Sequence, residues 1–591
     1  MGNPDGEEAF FYGQRLATWV ASAWILPVGV ARVRIIIGVG ALMVRRLTAL
    51  CGCVGLLLGC ARVATGVGGP GSQTPSGGGS TLTFTGLAAE PDVLNPMLSP
   101  SSDTVDFTHL FLSYLVESDD RNELQPEIAA EVPSQANGGI AKDGMTVTYH
   151  LRRGVVWQDG APLTSRDVVW TFGAIMNPKN NVISRVGYNR IASVRSEGDN
   201  TVVVLMKRPF SPILSYFFCS QGNAAILPAH LLARYPDLNR IPYNQKPVGS
   251  GPFRVVEWRH NDRITLRANE RYWRGPPKIG RIVFKIVPDP NTQAMQVATG
   301  EVDAYFGVDP ENYQRVARLP DYTTRLTPLN DIHDLDFNLR DPIMRDVRVR
   351  RAVELAIDRP TLAREATKGV DIVTEGDQPS FGWAYDPHIA RVPYDPHEAG
   401  VLLDEAGWRR SADGVRTKDG KRLDIQLAMA PAGVTASRIV AAVVQSDERA
   451  VGIAVTQKQY PIGLFWGQPQ NGGVLQSGKY QMAYNAWWVQ GPDPDDSWNF
   501  ACDQMPPAGQ NYYFWCDKKA DAAIRDAQLT FDRARRKRDY AIVQNEIASQ
   551  IPIVPLWEVR RIDTYSKRLR GVNPSPTGST FWNAWRWSLS N

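Results

Sequence analysis

The stretch MTVTYHLRRGVVWQDGAPLTSRDVVWTFGAIM, residues 145–176, contains a strand signal, a turn and a helix signal in direct succession. Its first half alternates apolar and polar residues, and the apolar face consists of Met145, Val147, Tyr149 and Leu151. This period of two predicts a half-buried strand, and the QDG triplet predicts a turn. Thr164, followed three residues later by Asp167, predicts a capped helix start.

Outward from this stretch, strand and helix signals alternate from Ser80 onwards. Residues 248–275 predict a glycine-rich turn and two strands, and residues 277–308 predict a strand, a helix and a strand. Further helices are expected after Asp346 and after Asp395, because each aspartate precedes an apolar helical face. We see no internal repeat, so the pattern predicts the α/β class.

Length and charge narrow the classes of function. A chain of 591 residues is too long for one core and predicts two or more domains. The net charge is only +4, and the one basic run, DRARRKRD at 532–539, contains both signs of charge. We interpret this run as the solvated face of a helix, and we expect no nucleic-acid partner.

The N-terminal region predicts an export signal. Residues 43–60, MVRRLTALCGCVGLLLGC, contain two arginines, an apolar run and a final Gly-Cys pair. The ending resembles a bacterial lipobox, which implies a lipid-modified Cys60. We therefore expect a leader over 1–59, with a start at Met43, and a flexible tether over 60–81. The alternative, a plain transmembrane helix, is disfavoured because the apolar run is short for a bilayer.

An exported, lipid-anchored chain folds in an extracytoplasmic compartment, at the membrane of the cell envelope, where disulfides persist. Beyond the leader and Cys60, the cysteines are Cys219, Cys502 and Cys516. Cys502 and Cys516 bracket a short proline-containing loop and form the expected bridge, with two free thiols as the alternative. The spacing of cysteines and histidines matches no metal motif, so we expect neither a metal nor a cofactor.

The stretch YNAWWVQGPDPDDSWNF, residues 484–500, is unusually rich in large rings and carboxylates. Pro492 and Pro494 argue against a regular helix and against a central strand. We interpret the whole stretch as a loop that faces a ligand or a lid, with aromatic core packing as the alternative.

Several blocks resemble, in order, the family-5 extracytoplasmic solute-binding proteins, which are the peptide- and nickel-binding receptors of ABC importers. These blocks are WQDGAPLTSRDVVWTF (157–172), LPAHLL (227–232), VGSGPFRVVEW (248–258), ANERYWRGPPKIGRIVFKIV (268–287), ATGEVDAYFGV (298–308), DFNLRDPIMRDVRVRRAVELAIDR (336–359) and YDPHEAGVLLDEAGW (394–408). The resemblance runs from about Leu82 to the C-terminus.

The resemblance implies a type II periplasmic-binding-protein fold with two lobes joined by a two-strand hinge. Lobe one, with an extra subdomain, is expected over 82–327 and again over 555–591, and lobe two over 328–554. The chain is expected to cross between lobes near Leu326 to Asn330 and near Ile551 to Leu556.

The resemblance also places residues 484–500 in the ligand site. Trp487 matches a tryptophan of the dipeptide and oligopeptide receptors, beside Tyr484 and Trp488. Gln490 falls where these receptors have an aspartate that pairs with the peptide's α-amino group. An amide offers no ion pair, so either Asp493 or Asp495 replaces that carboxylate, or the amine is not bound at this point.

The opposite wall of the site is implied to come from Ser101, Ser102 and Asp103. A bridge between Cys502 and Cys516 also resembles one in the dipeptide receptors, where it would brace the aromatic stretch.

The function implied is a monomeric receptor that captures peptides, or a related small solute, and delivers them to ABC permease subunits. Nickel alone is disfavoured as the ligand, because no histidine falls in the aromatic stretch. A sensor or envelope lipoprotein with the same fold is the alternative. A peptide or cell-wall hydrolase is less favoured, because the sequence has neither a G-x-S-x-G elbow nor a zinc motif.

The lipobox generates the first prediction. Cys60→Ser removes the thiol that would accept the lipid, so the variant should stay unanchored or uncleaved. Fractionation and N-terminal mass spectrometry test this. A wild-type protein whose N-terminus lies upstream of Cys60 and is unmodified would contradict it.

Overall fold

The computed structural model describes residues 80–86, 90–99, 101–220, 224–430, 435–488 and 491–590. The expected leader, the expected lipidation site Cys60, most of the expected tether and Gln490 lie outside the described residues. The side chains of Ser102, Trp487 and Trp488 also lie outside them.

The strands are β1 (Ser80–Gly86), β2 (Val116–Ser118), β3 (Leu124–Pro126), β4 (Thr146–His150), β5 (Ile191–Ser196), β6 (Thr201–Met206), β7 (Phe253–Arg259), β8 (Arg263–Ala268), β9 (Ile279–Lys285), β10 (Ala304–Phe306), β11 (Tyr322–Phe337), β12 (Arg409–Arg410), β13 (Arg416–Lys418), β14 (Lys421–Arg422), β15 (Asp424–Met429), β16 (Ala454–Gln459), β17 (Met482–Trp488), β18 (Ile553–Ser566), β19 (Leu569–Arg570) and β20 (Ser588–Leu589).

The α-helices are α1 (Ser102–Thr108), α2 (Ser165–Met176), α3 (Ile213–Tyr216), α4 (Ala229–Leu232), α5 (Pro290–Ala298), α6 (Tyr313–Val316), α7 (Val347–Ala356), α8 (Arg359–Ala366), α9 (Pro396–Glu405), α10 (Thr435–Val451), α11 (Ile462–Phe465), α12 (Ser497–Phe500), α13 (Lys518–Leu529) and α14 (Arg533–Gln550).

One mixed sheet of ten strands runs through the described chain, in the order β16-β15-β17-β11-β18-β10-β1-β9-β8-β7. Its parallel pairs are β1 with β9 and β10, and β15 with β16 and β17. The long strands β11 and β18 lie side by side and antiparallel near the middle of the sheet. Parallel pairs joined through helices confirm the predicted α/β class.

Three large apolar cores divide the molecule. The terminal core runs from Leu82 to Phe306 and resumes from Tyr565 to Trp587, so it uses both ends of the described chain. The middle core contains residues between Leu335 and Trp557. The subdomain core contains residues between Met97 and Tyr243 and surrounds the separate antiparallel sheet β4-β6-β5.

The stretch at 145–176 folds as the sequence predicts. Val147 and Tyr149 of β4 are fully buried on one face, and Thr146 and Thr148 are only half-buried. Thr164 and Asp167 form a capping box at the start of α2, where the Thr164 amide donates to Asp167 Oδ2 at 2.8 Å. Local propensity and tertiary packing favour the same structure here, which is why the sequence pattern predicts it correctly.

The glycine-rich turn before β7 allows two backbone segments to meet. A Cβ at Gly249 would lie 1.7 Å from the Phe111 carbonyl oxygen, and one at Gly251 would lie 2.7 Å from the Phe111 carbonyl carbon. Any larger residue would push the turn away from the segment after α1. These glycines therefore join the terminal core to the segment that enters the subdomain.

The aromatic stretch does not form one loop, so that interpretation of residues 484–500 is wrong. Its first five residues belong to β17, which pairs with β11 and β15 inside the sheet. Pro492 and Pro494 follow the strand and bar regular structure only at their own positions. The last residues form the short helix α12.

The basic run at 532–539 is a helix, as predicted, but the expectation that it is wholly solvated is wrong. Asp532 caps α14 by accepting hydrogen bonds from the amides of Ala534 and Arg535. Arg536, one turn further on, is 4% exposed and forms an ion pair with Asp493. Charge pattern alone could not reveal a buried carboxylate supplied by a distant segment.

Cys502 and Cys516 form a disulfide with their Cα atoms 4.7 Å apart, as expected from the sequence. Cys219 is buried in the subdomain core and takes no part in it. None of the helices in the described part of the chain has the length and hydrophobicity that a membrane crossing requires.

The short loop closed by the disulfide generates a stability prediction. Replacing both cysteines with serine should lower the free energy of unfolding by at most about 3 kcal/mol, because the constraint on the unfolded chain is modest. Urea denaturation of the double variant and the parent measures this difference. Alkylation of both cysteines in the native, unreduced parent would contradict the bridge itself.

Candidate ligand-binding cleft

The strands β11 and β18 connect the middle core to the terminal core. Their pairing is interrupted between Pro328 and Ile332, which pair with Arg560 and Glu558 respectively. Three residues of β11 therefore lie opposite Val559 alone, which is a bulge in the ladder. A break in pairing at this position is a natural place for the two strands to bend, and we call residues 328–332 and 558–560 the hinge.

Beside the hinge, His333 binds Tyr484 within the middle core. The distance from His333 Nδ1 to the Tyr484 hydroxyl is 2.5 Å, and the His333 ring stacks on Trp557 with centroids 5.3 Å apart. Burial lowers the pKa of His333 to about 4, so its ring is neutral at physiological pH. Tyr484, predicted as a ligand residue, is 7% exposed and packs in this core.

The hinge contains two carboxyls and one arginine, and a third carboxyl, that of Asp371, contacts it. Burial, with the nearby Asp371, raises the pKa of Asp331 to about 8. Burial also raises the pKa of Asp371 to about 7, although its carboxyl accepts a hydrogen bond from the Arg560 amide at 2.8 Å. Glu558 is fully buried, accepts a bond from the Ser380 amide at 2.7 Å, and also has a raised pKa.

Asp493 is bound within its own part of the molecule. Its carboxylate lies 2.5 Å from Arg536 Nη1, and the guanidinium of Arg536 lies 5.0 Å from the ring of Trp383. Trp383 also donates from Nε1 to the Pro492 carbonyl at 2.9 Å. Asp493 therefore positions the segment after β17 and is not an open counter-charge for a ligand.

Asp495 is likewise satisfied internally. It accepts hydrogen bonds from Gln528 Nε2 at 2.9 Å and from the Ser497 amide at 3.1 Å, and it is 7% exposed. The neighbouring Asp496 accepts a bond from Gln378 Nε2 at 2.6 Å. Neither of the two carboxylates that could have replaced the one missing at Gln490 is left open.

The residues that the resemblance implies for the opposite wall lie at the start of α1. Ser101 caps this helix by accepting a hydrogen bond from the Thr104 amide at 3.3 Å, and Asp103 is half-buried in the first turn. The Ser101 hydroxyl therefore has a structural role. Asp103 lies close enough to Arg561 to raise the pKa of that guanidinium.

Arg561, the residue after the hinge, contacts α1. Its Nε lies 3.1 Å from Asp563, and its Nη1 lies 3.9 Å from Asp106 in α1. Burial opposes the charge of Arg561, but Asp563 and Asp106 outweigh burial and raise its pKa. Asp106 accepts in turn a hydrogen bond from the Thr580 amide at 2.9 Å, so the C-terminal segment holds α1 in place.

Direct contacts close the gap between the subdomain and the middle part of the chain. Glu123 and Arg533 form an ion pair at 3.1 Å, and Ser211 donates from Oγ and from its amide to the carbonyls of Ala527 and Gln528, both at 2.8 Å. Beneath these contacts lies a cavity of about 470 Å³. Its lining includes Leu214, Trp383, Asp493, Phe531 and Arg536.

A second cavity, of about 140 Å³, lies at the hinge itself. It is lined by hinge residue Pro328, by Arg325 and Thr327 beside it on β11, by Phe381 from the middle part and by Pro574 from the C-terminal segment. The first cavity has walls from the subdomain and from the middle part of the chain, the second has walls from both sides of the hinge, and we call the two cavities together the crevice. Among the described residues, no group of three or more His, Cys, Asp or Glu side chains is placed to hold a metal ion.

A sequence profile of the bacterial extracellular solute-binding proteins, family 5, matches residues 123–505. This chain belongs to that family. The oligopeptide-binding protein AppA of Bacillus subtilis is 25% identical over 87% of this chain and 92% of its own length. The dipeptide-binding protein of Escherichia coli is 26% identical over 83% of this chain and 91% of its own.

Solved structures of other family members share the fold. AppA of B. subtilis in complex with a nonapeptide aligns with a TM-score of 0.70 at 23% identity, covering 87% of this chain and 99% of AppA. NikZ of Campylobacter jejuni in complex with Ni(L-His) aligns with a TM-score of 0.70 at 26% identity, covering 86% and 99%. The type II binding-protein fold implied by the sequence blocks is therefore confirmed.

The sequence analysis did not identify three residues whose long-range contacts hold the segments around the cleft in place. Arg536, Trp383 and Arg561 carry no local motif, and their roles depend on contacts across long stretches of chain. The buried carboxyls of β11 did leave a signal, because NDIHDLDF places three aspartates inside a stretch of otherwise strand-like character. Acids in a central strand are costly and merit attention as candidate functional groups.

The raised pKa of Asp331 generates a pH prediction. Between the unfolded value near 4 and the folded value of about 8, the unfolded state binds fewer protons at this group, so its contribution to stability falls as pH rises. Asp331→Asn removes that loss. Its free energy of unfolding relative to the parent should therefore increase from pH 5 to pH 8. Chemical denaturation at several pH values measures this, and parallel pH curves would show the prediction wrong.

Proposed function

We propose that this chain is an extracytoplasmic receptor that captures a peptide, or a related small solute, between two lobes and delivers it to an ABC permease. Lobe one contains the terminal core and the subdomain, and lobe two contains the middle core. The observation that carries the proposal is the crevice at the β11 and β18 hinge, with walls from both lobes.

The peptide class is supported by the relatives and by the chemistry of the crevice. AppA and the E. coli protein are named as oligopeptide- and dipeptide-binding proteins, and AppA has been solved with a nonapeptide. The crevice combines aromatic and apolar surface with a few charged groups, which is typical of ligand sites. NikZ, solved with Ni(L-His), shows that the same fold also accepts a metal complex in another protein.

The mechanism follows from the hinge and needs no catalytic group. A ligand that contacts both lobes binds the closed form more tightly than the open form, so it shifts the population towards closure. The Glu123–Arg533 ion pair and the Ser211 contacts join the lobes away from the hinge. Because both ion-pair partners are about half exposed, this contact contributes little to the stability of the closed form. The equilibrium between the open and closed forms therefore depends mainly on ligand binding.

We place the second crossing between lobes at Glu558 to Arg560, a few residues after the expected position near Ile551 to Leu556. Leu556 and Trp557 pack in the middle core, and Tyr565 packs in the terminal core. The first crossing stays near the expected one, at Pro328 to Ile332. The lipid anchor at Cys60 and the permease partner remain part of the proposal.

The direct test is mass spectrometry of small molecules that remain bound to the protein after native purification. A peptide or a peptide-like solute, lost on unfolding and regained on refolding with the extracted fraction, is the expected result. Retention of a ligand without peptide chemistry would contradict the proposed ligand class. Binding of the ligand by residues of one lobe alone would contradict capture between two lobes.

Trp487 gives a site-specific prediction, because the resemblance places it against the ligand. Trp487→Ala should weaken peptide binding at least about tenfold, as expected for an anchor ring at a binding site. Trp170→Ala is the matched control, since Trp170 packs half-buried against the subdomain core, away from the crevice. Calorimetric titration with a co-purified ligand measures both variants. Equal binding by the two variants, with stability lost only in Trp487→Ala, would make Trp487 a packing residue.

A further inference from the structure

Three exposed arginines lie directly opposite one another on the three strands at the β7 edge of the large sheet. Arg254 of β7 pairs with Arg267 of β8, and Arg267 pairs with Arg281 of β9. A neighbour of each arginine in its own strand is buried in the terminal core: Val255, Leu266 and Ile282. Because successive side chains of a strand alternate between faces, the arginines point away from that core. We call Arg254, Arg267 and Arg281 the arginine row.

The arginine row lacks the acidic partners that a second basic row on the same strands has. The second row, four residues further along, consists of Arg259, Arg263 and Lys285. Glu257 lies 2.7 Å from Arg259, Asp262 lies 2.8 Å from Arg263, and Glu301 forms an ion pair with Lys285. Across the described part of the chain, no carboxylate forms an ion pair with a member of the arginine row. Its positive charge is therefore available to a partner outside the fold.

The arginine row lowers the free energy of unfolding, because like charges directly opposite one another destabilise a sheet. Charges on an edge strand can prevent edge-to-edge association, which accounts for Arg254 on β7. This role does not account for Arg267 and Arg281, since β8 and β9 have a strand on each side. The two interior arginines favour an anionic partner as the reason for the row.

The row lies at the end of the sheet where the chain arrives from the expected lipid anchor. Arg281 pairs with Thr81, the second residue of β1. Nineteen residues, 61–79, lie between Cys60 and Ser80. A flexible, glycine-rich chain of that length has a root-mean-square end-to-end distance of about 24 Å. A lipid on Cys60 would therefore keep the arginine row close to the bilayer surface.

The other exposed charges at these strand ends keep the surface positive. Lys278 lies just before β9, and Arg271 and the acid Glu270 lie just after β8. With the arginine row, these residues carry five positive charges and one negative charge. Each basic residue near an anionic leaflet strengthens binding about fivefold, and the attraction falls off within a Debye length of about 8 Å.

We propose that the arginine row binds the phosphate groups of anionic phospholipids in the membrane that carries the receptor. The inference rests on the lipid anchor of the proposed function and adds an orientation, with this end of lobe one against the bilayer. Guanidinium groups bind phosphate oxygens through paired, charge-assisted hydrogen bonds. The row lines neither cavity of the crevice, so the contact is independent of peptide.

The test measures how close the tether end of lobe one lies to the lipid headgroups. The lipidated protein carries a donor dye on Ser80→Cys, where labelling is specific because Cys219 is buried and Cys502 is bridged to Cys516. It is reconstituted into vesicles of phosphatidylcholine alone or with added phosphatidylglycerol, each with acceptor dyes on headgroups. Fluorescence lifetimes separate close from distant populations. We expect the ratio of close to distant protein to be at least about tenfold higher in the anionic vesicles, and to fall to the neutral-vesicle value at high salt.

Arg254→Gln, Arg267→Gln and Arg281→Gln together should lower that ratio in anionic vesicles at least about tenfold. The matched control removes the same charge from exposed arginines elsewhere, through Arg153→Gln, Arg208→Gln and Arg538→Gln. This control should stay within about twofold of the parent, because its sites lie away from the row. Both triple variants should bind peptide like the parent.

Arg267→Gln alone is the second variant, for the case in which the triple variant does not fold. It should lower the ratio about fivefold while raising the free energy of unfolding, since it removes the repulsion from both neighbours. A purely structural role for Arg267 predicts the opposite change in stability. Urea denaturation measures this change.

The outcomes separate the inference from the function on which it rests. Equal ratios in neutral and anionic vesicles, or folded row variants that match the parent, would show the inference wrong and leave the receptor function in place. Aggregation of the row variants with an unchanged ratio would make the row a guard against edge pairing and would also overturn the inference. If mass spectrometry of the same sample finds Cys60 unmodified, the anchor is wrong and the inference fails with it.

Discussion

The pairing of β11 with β18 is the constraint on which the rest of the molecule depends. These two antiparallel strands carry the chain from the terminal core to the middle core and back within a single sheet. Both crossings lie side by side, so in the proposed mechanism a bend at the bulge near Pro328 to Ile332 would move one lobe against the other without breaking either core. Arg561 lies on β18 itself, and the segment after β17 follows a strand that pairs with β11.

That constraint also explains where polar groups are buried. Strands in the middle of a sheet normally carry apolar side chains on covered faces, yet β11 carries the buried acids Asp331, Asp334 and Asp336. Asp336 accepts a hydrogen bond from Asn485, whereas the neighbouring charge that acts on Asp331 is that of another acid, Asp371. Buried acids of this kind lower the free energy of unfolding, so they are candidate functional groups.

The sequence was informative where local rules and tertiary contacts agree. Two local features could be predicted because each depends on residues close together in the chain. They are the strand, turn and capped helix at 145–176 and the Cys502–Cys516 bridge. The aromatic stretch was misjudged, because Pro492 and Pro494 act only locally and the central place of β17 depends on β11, far away in sequence. The buried state of Arg536 was missed for the same reason, since its partner Asp493 comes from another segment. The expected roles of Trp487 and Gln490 still rest on family resemblance.

Closure over a ligand is the central claim, and a distance across the crevice tests it most directly. Spin labels on cysteines introduced at Ala136 in lobe one and Lys537 in lobe two would occupy exposed sites on either side of the Glu123–Arg533 contact. Pulsed electron double resonance should give a broad, longer distribution without ligand and a narrow, shorter one with saturating ligand. The same distribution in both conditions, at a ligand concentration that calorimetry shows to be saturating, would contradict capture by hinge closure.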